Sequence, residues 1–309
     1  MSTNFNPNIP NLILLIRPKN FAFNAATSET NSFQRESNQD GVSEIAIAEF
    51  NSVVRVLEDN NIPFKVFEDL DKVLPDAVFP NNWIAQLPGG IITVFPMLSE
   101  NRRAEVRIDI IDWLINHIKP ASLIDLRASA EEHKFLEGTG SIIFDHKNRI
   151  AFASESPRTN IPLFEWYCLE IGYRPISFES VDLKGDQIYH TNVMMTIAST
   201  FCLINLEAIQ NLVERSFIKA ILEQTDRMII PVSYPQMNAF AANSFEVLDA
   251  EGKSCFIISQ SGFDSLQADQ IALIEKQSRI VLVDLDFIQK VGGGGIRCMM
   301  AGLFIPDAK

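Results

Sequence analysis

The sequence predicts an α/β fold in which five mostly-strand units, each with one helix, close into a ring. Three observations carry that reading. Polar tips recur between short apolar segments, at Asn81-Asn82, Glu137-Gly138-Thr139-Gly140, His190-Thr191-Asn192, Ala242-Asn243 and Arg297-Cys298. Their spacing is nearly constant: 56 positions from Asn81 to Glu137, 53 on to His190, 53 to Asn243 and 55 to Cys298. Apolar residues at helical spacing fall between successive tips. Repeats of that length signal radial or stacked units. Counting back 57 positions from Asn81 reaches Asn24, so the two ends of the chain share one closing unit and the array is a ring. The competing reading is a plain α+β fold with coincidental helix spacing.

Each element has a local reason. Residues 11–16 form a short apolar strand that stops at Arg17-Pro18. Residues 19–39 are rich in Asn, Ser, Thr and Phe without a period, and a loop of that length in a compact domain is commonly a lid or binding loop. Residues 42–59 read as a helix and 64–67 as a strand, followed by a polar kink from Asp76 to Trp83. Further helices are expected over 104–118, 161–171, 207–224 and 265–276, and a final strand over 299–305. Before that strand stands Gly292-Gly293-Gly294-Gly295, which permits close backbone approach and presents Cys298 at its tip. No linker rich in Gly, Pro or Ser divides the chain, so 1–309 reads as a single domain.

Composition narrows the function. The 309 residues are 47% hydrophobic, which suits a globular core and not a disordered chain. No apolar run approaches the ~20 residues that span a bilayer, and the polar, uncharged first ten residues resemble no signal segment. A cytoplasmic protein without membrane association is expected. The net charge of −13 argues against nucleic acid. Cys168, Cys202, Cys255 and Cys298 lie far apart without paired spacing, so neither a zinc site nor a disulfide framework is expected.

If the units are related by rotation, their tips converge near the axis. Asn81, Asn82, Glu137, His190, Asn192, Asn243 and Cys298 would then line one pocket. A thiol, an imidazole and a carboxylate make a nucleophile, a proton shuttle and an orienting anion. Glu137 enters an apolar setting and so calls for a cation or donor beside it. Arg158 is placed to clamp a carboxylate, to cap a helix or to pair on the surface. Arg102 and Arg103 are expected to begin a helix, an end unfavourable to cations, which suggests a task other than helix stability. His117, His133 and His146 have charged neighbours and read as solvated, and the other three thiols read as core.

These motifs identify a resemblance. The chain resembles the amidinotransferase and arginine deiminase superfamily, the guanidine-modifying enzymes with a five-bladed α/β propeller called the pentein fold. It is most similar to the dimethylarginine dimethylaminohydrolase branch and to bacterial proteins labelled citrulline-utilisation hydrolases. The resemblance runs from Arg17-Pro18 to Phe304 and rests on Glu137-Gly138-Thr139-Gly140-Ser141, Ser156-Pro157-Arg158-Thr159-Asn160, His190-Thr191-Asn192 and the glycine loop ending in Cys298. It implies Cys298 as nucleophile, His190 as general acid and base, and Glu137 beside it. It further implies that Arg158 and Arg102 hold a substrate carboxylate and that Asp76 recognises the α-amino end. No metal or organic cofactor is implied.

The chain departs from the family at the Asn81-Asn82 tip and just after His190. Asn81 and Asn82 fall where the dimethylarginine hydrolases carry Glu and Asp, and Asn192 replaces a carboxylate after the histidine. An amide both donates and accepts, which suits a neutral ureido group such as that of citrulline. Related dihydrolases with asparagine at the position of Asn82 nevertheless accept a guanidino substrate. Hydrolysis of arginine, methylarginine or citrulline is therefore expected, with amidino transfer to an amine, or mere amino-acid binding, as the competing functions. A homo-oligomer is possible, and the sequence does not decide it.

Overall fold

Short apolar runs bounded by Asn, Gly and Pro give strands of three to six residues, and these assemble as five separate three-stranded sheets. The computed structural model describes residues 6–37 and 39–305. The first sheet begins with β1 (Leu12–Arg17) and β2 (Phe64–Glu68), which pair in parallel. Then come β3 (Ile84–Leu87), β4 (Ile91–Val94) and β5 (Ser122–Asp125) as the second sheet, and β6 (Ile142–Asp145), β7 (Ile150–Ser154) and β8 (Arg174–Phe178) as the third. The fourth holds β9 (Met195–Ile197), β10 (Phe201–Ile204) and β11 (Met228–Pro231), and the fifth β12 (Phe245–Leu248), β13 (Ser254–Ser259) and β14 (Arg279–Val283). Finally β15 (Ala301–Leu303) returns to pair antiparallel with β1, Leu303 facing Leu12. The closing unit drawn from both ends of the chain is thus present.

Each sheet repeats one pattern. In four of them an inner strand turns tightly into an antiparallel centre, as Ile84 opposite Val94, and in all five an outer strand joins in parallel, as Val94 beside Asp125. In the first sheet the inner and central strands come from opposite ends of the chain. Parallel pairing needs a crossover, supplied by helices α1 (Val42–Asp59), α2 (Ile108–Ile118), α3 (Ile161–Glu170), α4 (Leu212–Glu223) and α5 (Ala268–Glu275). In α1 the buried face is Ala46, Phe50, Val53 and Leu57, a helical stripe. Asn160 and Asn211 cap α3 and α4 through side-chain oxygens that accept from backbone N–H groups of the first turn. Three helices start later than their periodicity suggests, because separate short turns (Glu100–Arg103, Leu206–Ala208 and Gln260–Ser265) precede them.

The last strand is also shorter than expected. Cys298 lies in a helical turn, Ile296–Met299, ahead of β15. Equivalent turns, Pro80–Asn82, Gly138–Ser141 and Thr191–Met194, lead into β3, β6 and β9. These are the tips. A second set of loops leaves the central strands at the same end and carries Asn24 to Gln34, Arg102 and Arg158. Asn24 belongs to this second set, so the expectation that it is the tip one repeat before Asn81 is corrected: the turn at Ile296–Met299 leads into the closing unit's inner strand. Among the described residues no helix is long and apolar enough to cross a membrane.

Candidate active site

Cys298 and His190 lie 108 positions apart in sequence and line one cavity with Asp76, Asn82, Arg102 and Arg158. Its free volume is only about 10 Å³, room for about one water. Cavities of about 410 and 590 Å³ lie elsewhere, but neither contains the thiol or this histidine.

The thiol sits between two amides. Asn192 Nδ2 and Asn243 Nδ2 each donate to Cys298 Sγ at 3.4 Å. Asn243 is itself fixed, donating to the Asn192 carbonyl at 2.9 Å and accepting from the Arg297 backbone N–H at 3.1 Å. That N–H is therefore already engaged by Asn243. Burial pushes the Cys298 pKa above its usual value, and the two amides and the Arg297 charge oppose the shift. Of the four glycines, Gly292 closes a helix and Gly293 caps it with positive φ. A Cβ at Gly294 would crowd Phe79 and one at Gly295 would meet Asn243, so the bare backbone serves close packing beneath the cysteine.

His190 Nε2 is 2.8 Å from Glu137 Oε2. Burial lowers the His190 pKa to about 4, although Glu137 pulls the other way. Burial alone would raise Glu137, but Arg158, His190 and Arg102 outweigh it and hold the carboxyl at about 2. The pair thus rests as carboxylate and neutral imidazole. Glu137 Oε1 also accepts from the Leu98 N–H at 3.0 Å.

Arg102 is buried and makes a two-pronged contact with Glu105, both bonds 2.9 Å. Its third arm donates to Asn82 Oδ1 at 2.8 Å. Because a guanidinium has no acceptor, this fixes the Asn82 amide with oxygen toward Arg102 and nitrogen toward Asn81 Oδ1 at 3.1 Å. The expectation that Arg102 and Arg103 begin a helix is corrected: both lie in the last turn of a short one, the end that suits cations. Asn81 is buried but does not line the cavity, and its side chain supports Asn82.

Residues 19–37 fold over the site. Asn24 donates to Asp76 Oδ2 at 2.7 Å, while Arg158 donates to Thr30 Oγ1 at 2.8 Å and to the Thr27 carbonyl at 2.9 Å. The Arg158 guanidinium stacks on Tyr189, 4.8 Å from its ring centre. Asp76 Oδ1 has no hydrogen-bond partner among the described residues. Glu105, Thr27, Thr30 and Tyr189 carried no sequence signal beyond polarity near a named motif. The reading of His146 as solvated is also corrected, since its ring stacks on Phe144, meets Phe304 edge-on and bonds Tyr173 Oη at 2.8 Å.

A ring of five sheets whose tips gather a thiol, an imidazole and a carboxylate defines a pentein-fold protein of the amidinotransferase and arginine deiminase superfamily. The family model described as N,N dimethylarginine dimethylhydrolase, eukaryotic, matches residues 17–305, and the chain belongs to that family. Solved structures agree on the fold. The substrate-bound N-terminal domain of ArgZ, an arginine dihydrolase from Cyanobacteria, superposes with TM-score 0.74 at 16% identity, over 94% of this chain and 97% of that one. Apo ArgZ gives 0.75 at 16% identity over 96% of this chain but 41% of its own, so the chain spans about two fifths of that protein. A dimethylarginine dimethylaminohydrolase variant carrying an S-methyl-L-thiocitrulline adduct gives 0.65 at 16% identity, over 96% and 100%. No curated protein matches the chain in sequence.

Proposed function

We propose that the protein is a cysteine hydrolase acting on the guanidino or ureido carbon of an arginine-derived amino acid. The observation that carries this is the shared cavity of Cys298 and His190, with Glu137 hydrogen-bonded behind the imidazole. His190, neutral at rest, takes the proton of the Cys298 thiol; the thiolate adds to the central carbon, and His190 delivers that proton to the departing nitrogen. Water then attacks the S-linked carbon, His190 takes its proton, and the thiolate leaves. Arginine would give citrulline and ammonia; citrulline would give ornithine, ammonia and carbon dioxide.

Buried Cys298 rests as a thiol, so a substrate that favours thiolate must supply part of the driving force. A cationic guanidinium does so directly. Asp76 Oδ1 offers an acceptor for an α-ammonium group, and Arg158 could take a carboxylate once its donors leave Thr27 and Thr30. Arg102 is committed to Glu105 and Asn82, which favours a positioning role over the substrate clamp that the resemblance implies. The family placement and the arginine dihydrolase and dimethylarginine dimethylaminohydrolase neighbours support this chemistry.

A specific observation favours ureido substrates as well. With its oxygen taken by Arg102 and one N–H by Asn81, Asn82 has one N–H left to offer, which suits a ureido carbonyl and not a guanidinium edge. The decisive assay is ammonia and amine release from arginine, methylated arginines, agmatine and citrulline, with and without an added amine acceptor. Cys298→Ala should remain folded and lose turnover with every substrate; full activity would refute covalent catalysis. Asn82→Asp should shift the arginine-to-citrulline ratio toward arginine by about tenfold, the effect of roughly 1.4 kcal/mol, and an unchanged ratio would remove the amide argument.

A further inference from the structure

We infer that the protein carries a second ligand site, at the opposite end of the ring axis, where Arg297 receives the head group of a small organic carboxylate. The cavity of about 410 Å³ is lined by inner strands of all five sheets, through Leu87, Phe144, Thr196, Phe245 and Gly302 among others. Every inner strand runs from its tip toward this cavity, so it opens on the face away from residues 19–37. Its volume falls in the range of small-molecule sites, and Phe144, Phe304 and Leu87 offer an apolar wall.

Charge makes the site selective. The cavity wall includes three cations, Arg227, Arg297 and Lys147. Arg227 is neutralised by Asp145, at 2.5 and 2.8 Å. Glu246 is held by the Ser199 N–H, the Ser199 hydroxyl and the Ser254 hydroxyl at 2.6 to 2.8 Å. His146, kept low at about 3 by burial, contributes no charge. Arg297 forms no ion pair with any described residue: one nitrogen donates to the Met300 carbonyl at 2.8 Å, and its guanidinium lies 4.6 Å from the Phe245 ring centre. Arg297 is half-buried and lines the cavity without an anionic partner among the described residues, and its remaining donors can take a carboxylate through charge-assisted hydrogen bonds.

The two sites are adjacent in sequence. Arg297 precedes Cys298, and its positive charge favours the thiolate. A carboxylate seated on Arg297 cancels that charge and makes Cys298 less reactive. This consequence treats Cys298 only as a reactive thiol and stands whichever substrate it acts on.

The test uses the full chain, with Cys298 alkylation by iodoacetamide followed on its own peptide by mass spectrometry at constant ionic strength. Benzoate should slow alkylation saturably, by roughly three- to tenfold, equivalent to a half to one unit of thiol pKa. Its neutral isostere benzamide should not. The effect should persist in Arg158→Gln and vanish in Arg297→Gln. Arg297→Lys, which keeps the charge but loses the planar fork, should need at least tenfold more benzoate, and serves if the glutamine variant does not fold. Equal slowing by benzamide, a strictly linear dose response, or loss of the effect in Arg158→Gln with retention in Arg297→Gln would each overturn the inference. The last outcome would place the carboxylate beside Cys298 instead.

Discussion

Glu105 offers the sharpest test of how the buried charges balance. Asp76, Glu105 and Glu137 surround two arginines, so full ionisation would leave one carboxylate in excess. Burial pushes Glu105 up to about 7, against the pull of Arg102 and with the help of Asp76 and Glu137. The unfolded value is near 4.5. A carboxyl whose folded pKa is raised binds more protons when folded, so its ionisation costs stability progressively between about pH 4.5 and 7. Two and a half pKa units correspond to an upper bound of ~3 kcal/mol. Glu105→Gln imitates the protonated carboxyl and should abolish that loss. Urea unfolding should give wild type and variant nearly equal stability at pH 4.5, with the variant about 1–3 kcal/mol more stable at pH 8. A variant less stable at both pH values, by the ~3–5 kcal/mol expected on breaking a buried pair, would show that the Arg102 contact dominates and that the excess-charge reasoning is wrong.

Gly140→Ala tests the packing around the imidazole. Its φ is ordinary, but a Cβ there would lie 2.5 Å from Asn82 Nδ2 and 2.7 Å from the His190 ring. Turnover should fall by ~100-fold or more, as expected when catalytic groups are misplaced by an ångström, while circular dichroism stays unchanged; near-normal kcat would refute the tight placement. Asn243→Ala removes one donor to the thiolate. Its Cys298 pKa, read from the pH dependence of alkylation, should rise by about one unit, since hydrogen bonds to charged groups contribute ~1.5–3 kcal/mol. A shift below a few tenths would mean that the amides only position the sulfur.

The ring was legible because each turn of the chain repeats the same sequence of tip, hairpin and crossover helix, and polar tips stand out between apolar strands. Asn192, Asn243, His190 and Cys298 stand out in the sequence through that spacing, and the structure brings the two amides onto the Cys298 sulfur. Glu105 was not, because an acid in the polar stretch Ser99–Arg107 looks solvated until the fold wraps Arg102 around it. His146 misled for the opposite reason. Asp145 and Lys147 flank it in sequence, yet Phe304, from the far end of the chain, covers its ring. Helix starts slipped by three to five residues where a separate short turn precedes the true cap. Asn81 and Asn82 are neighbours with identical chemistry, and only the backbone turn decides which one reaches the cavity.

The same topology explains why the site is closed. Arg102, Arg158 and the segment from Asn24 to Gln34 occupy equivalent positions in three sheets, the loops that leave the central strand at the tip end. The tips supply the reacting groups from below, and these loops supply charge and cover from above. In the first sheet the loop is long enough to cross the axis, and its Thr27 and Thr30 occupy the donors of Arg158. A cavity with room for about one water cannot admit an arginine-sized molecule. On the proposed function, substrate binding would displace the segment that carries Thr27 and Thr30, and a substrate carboxylate would replace the two threonines on Arg158. On that reading the Arg158 guanidinium would exchange a neutral hydroxyl and a carbonyl for a charged partner, which would make opening and recognition one event.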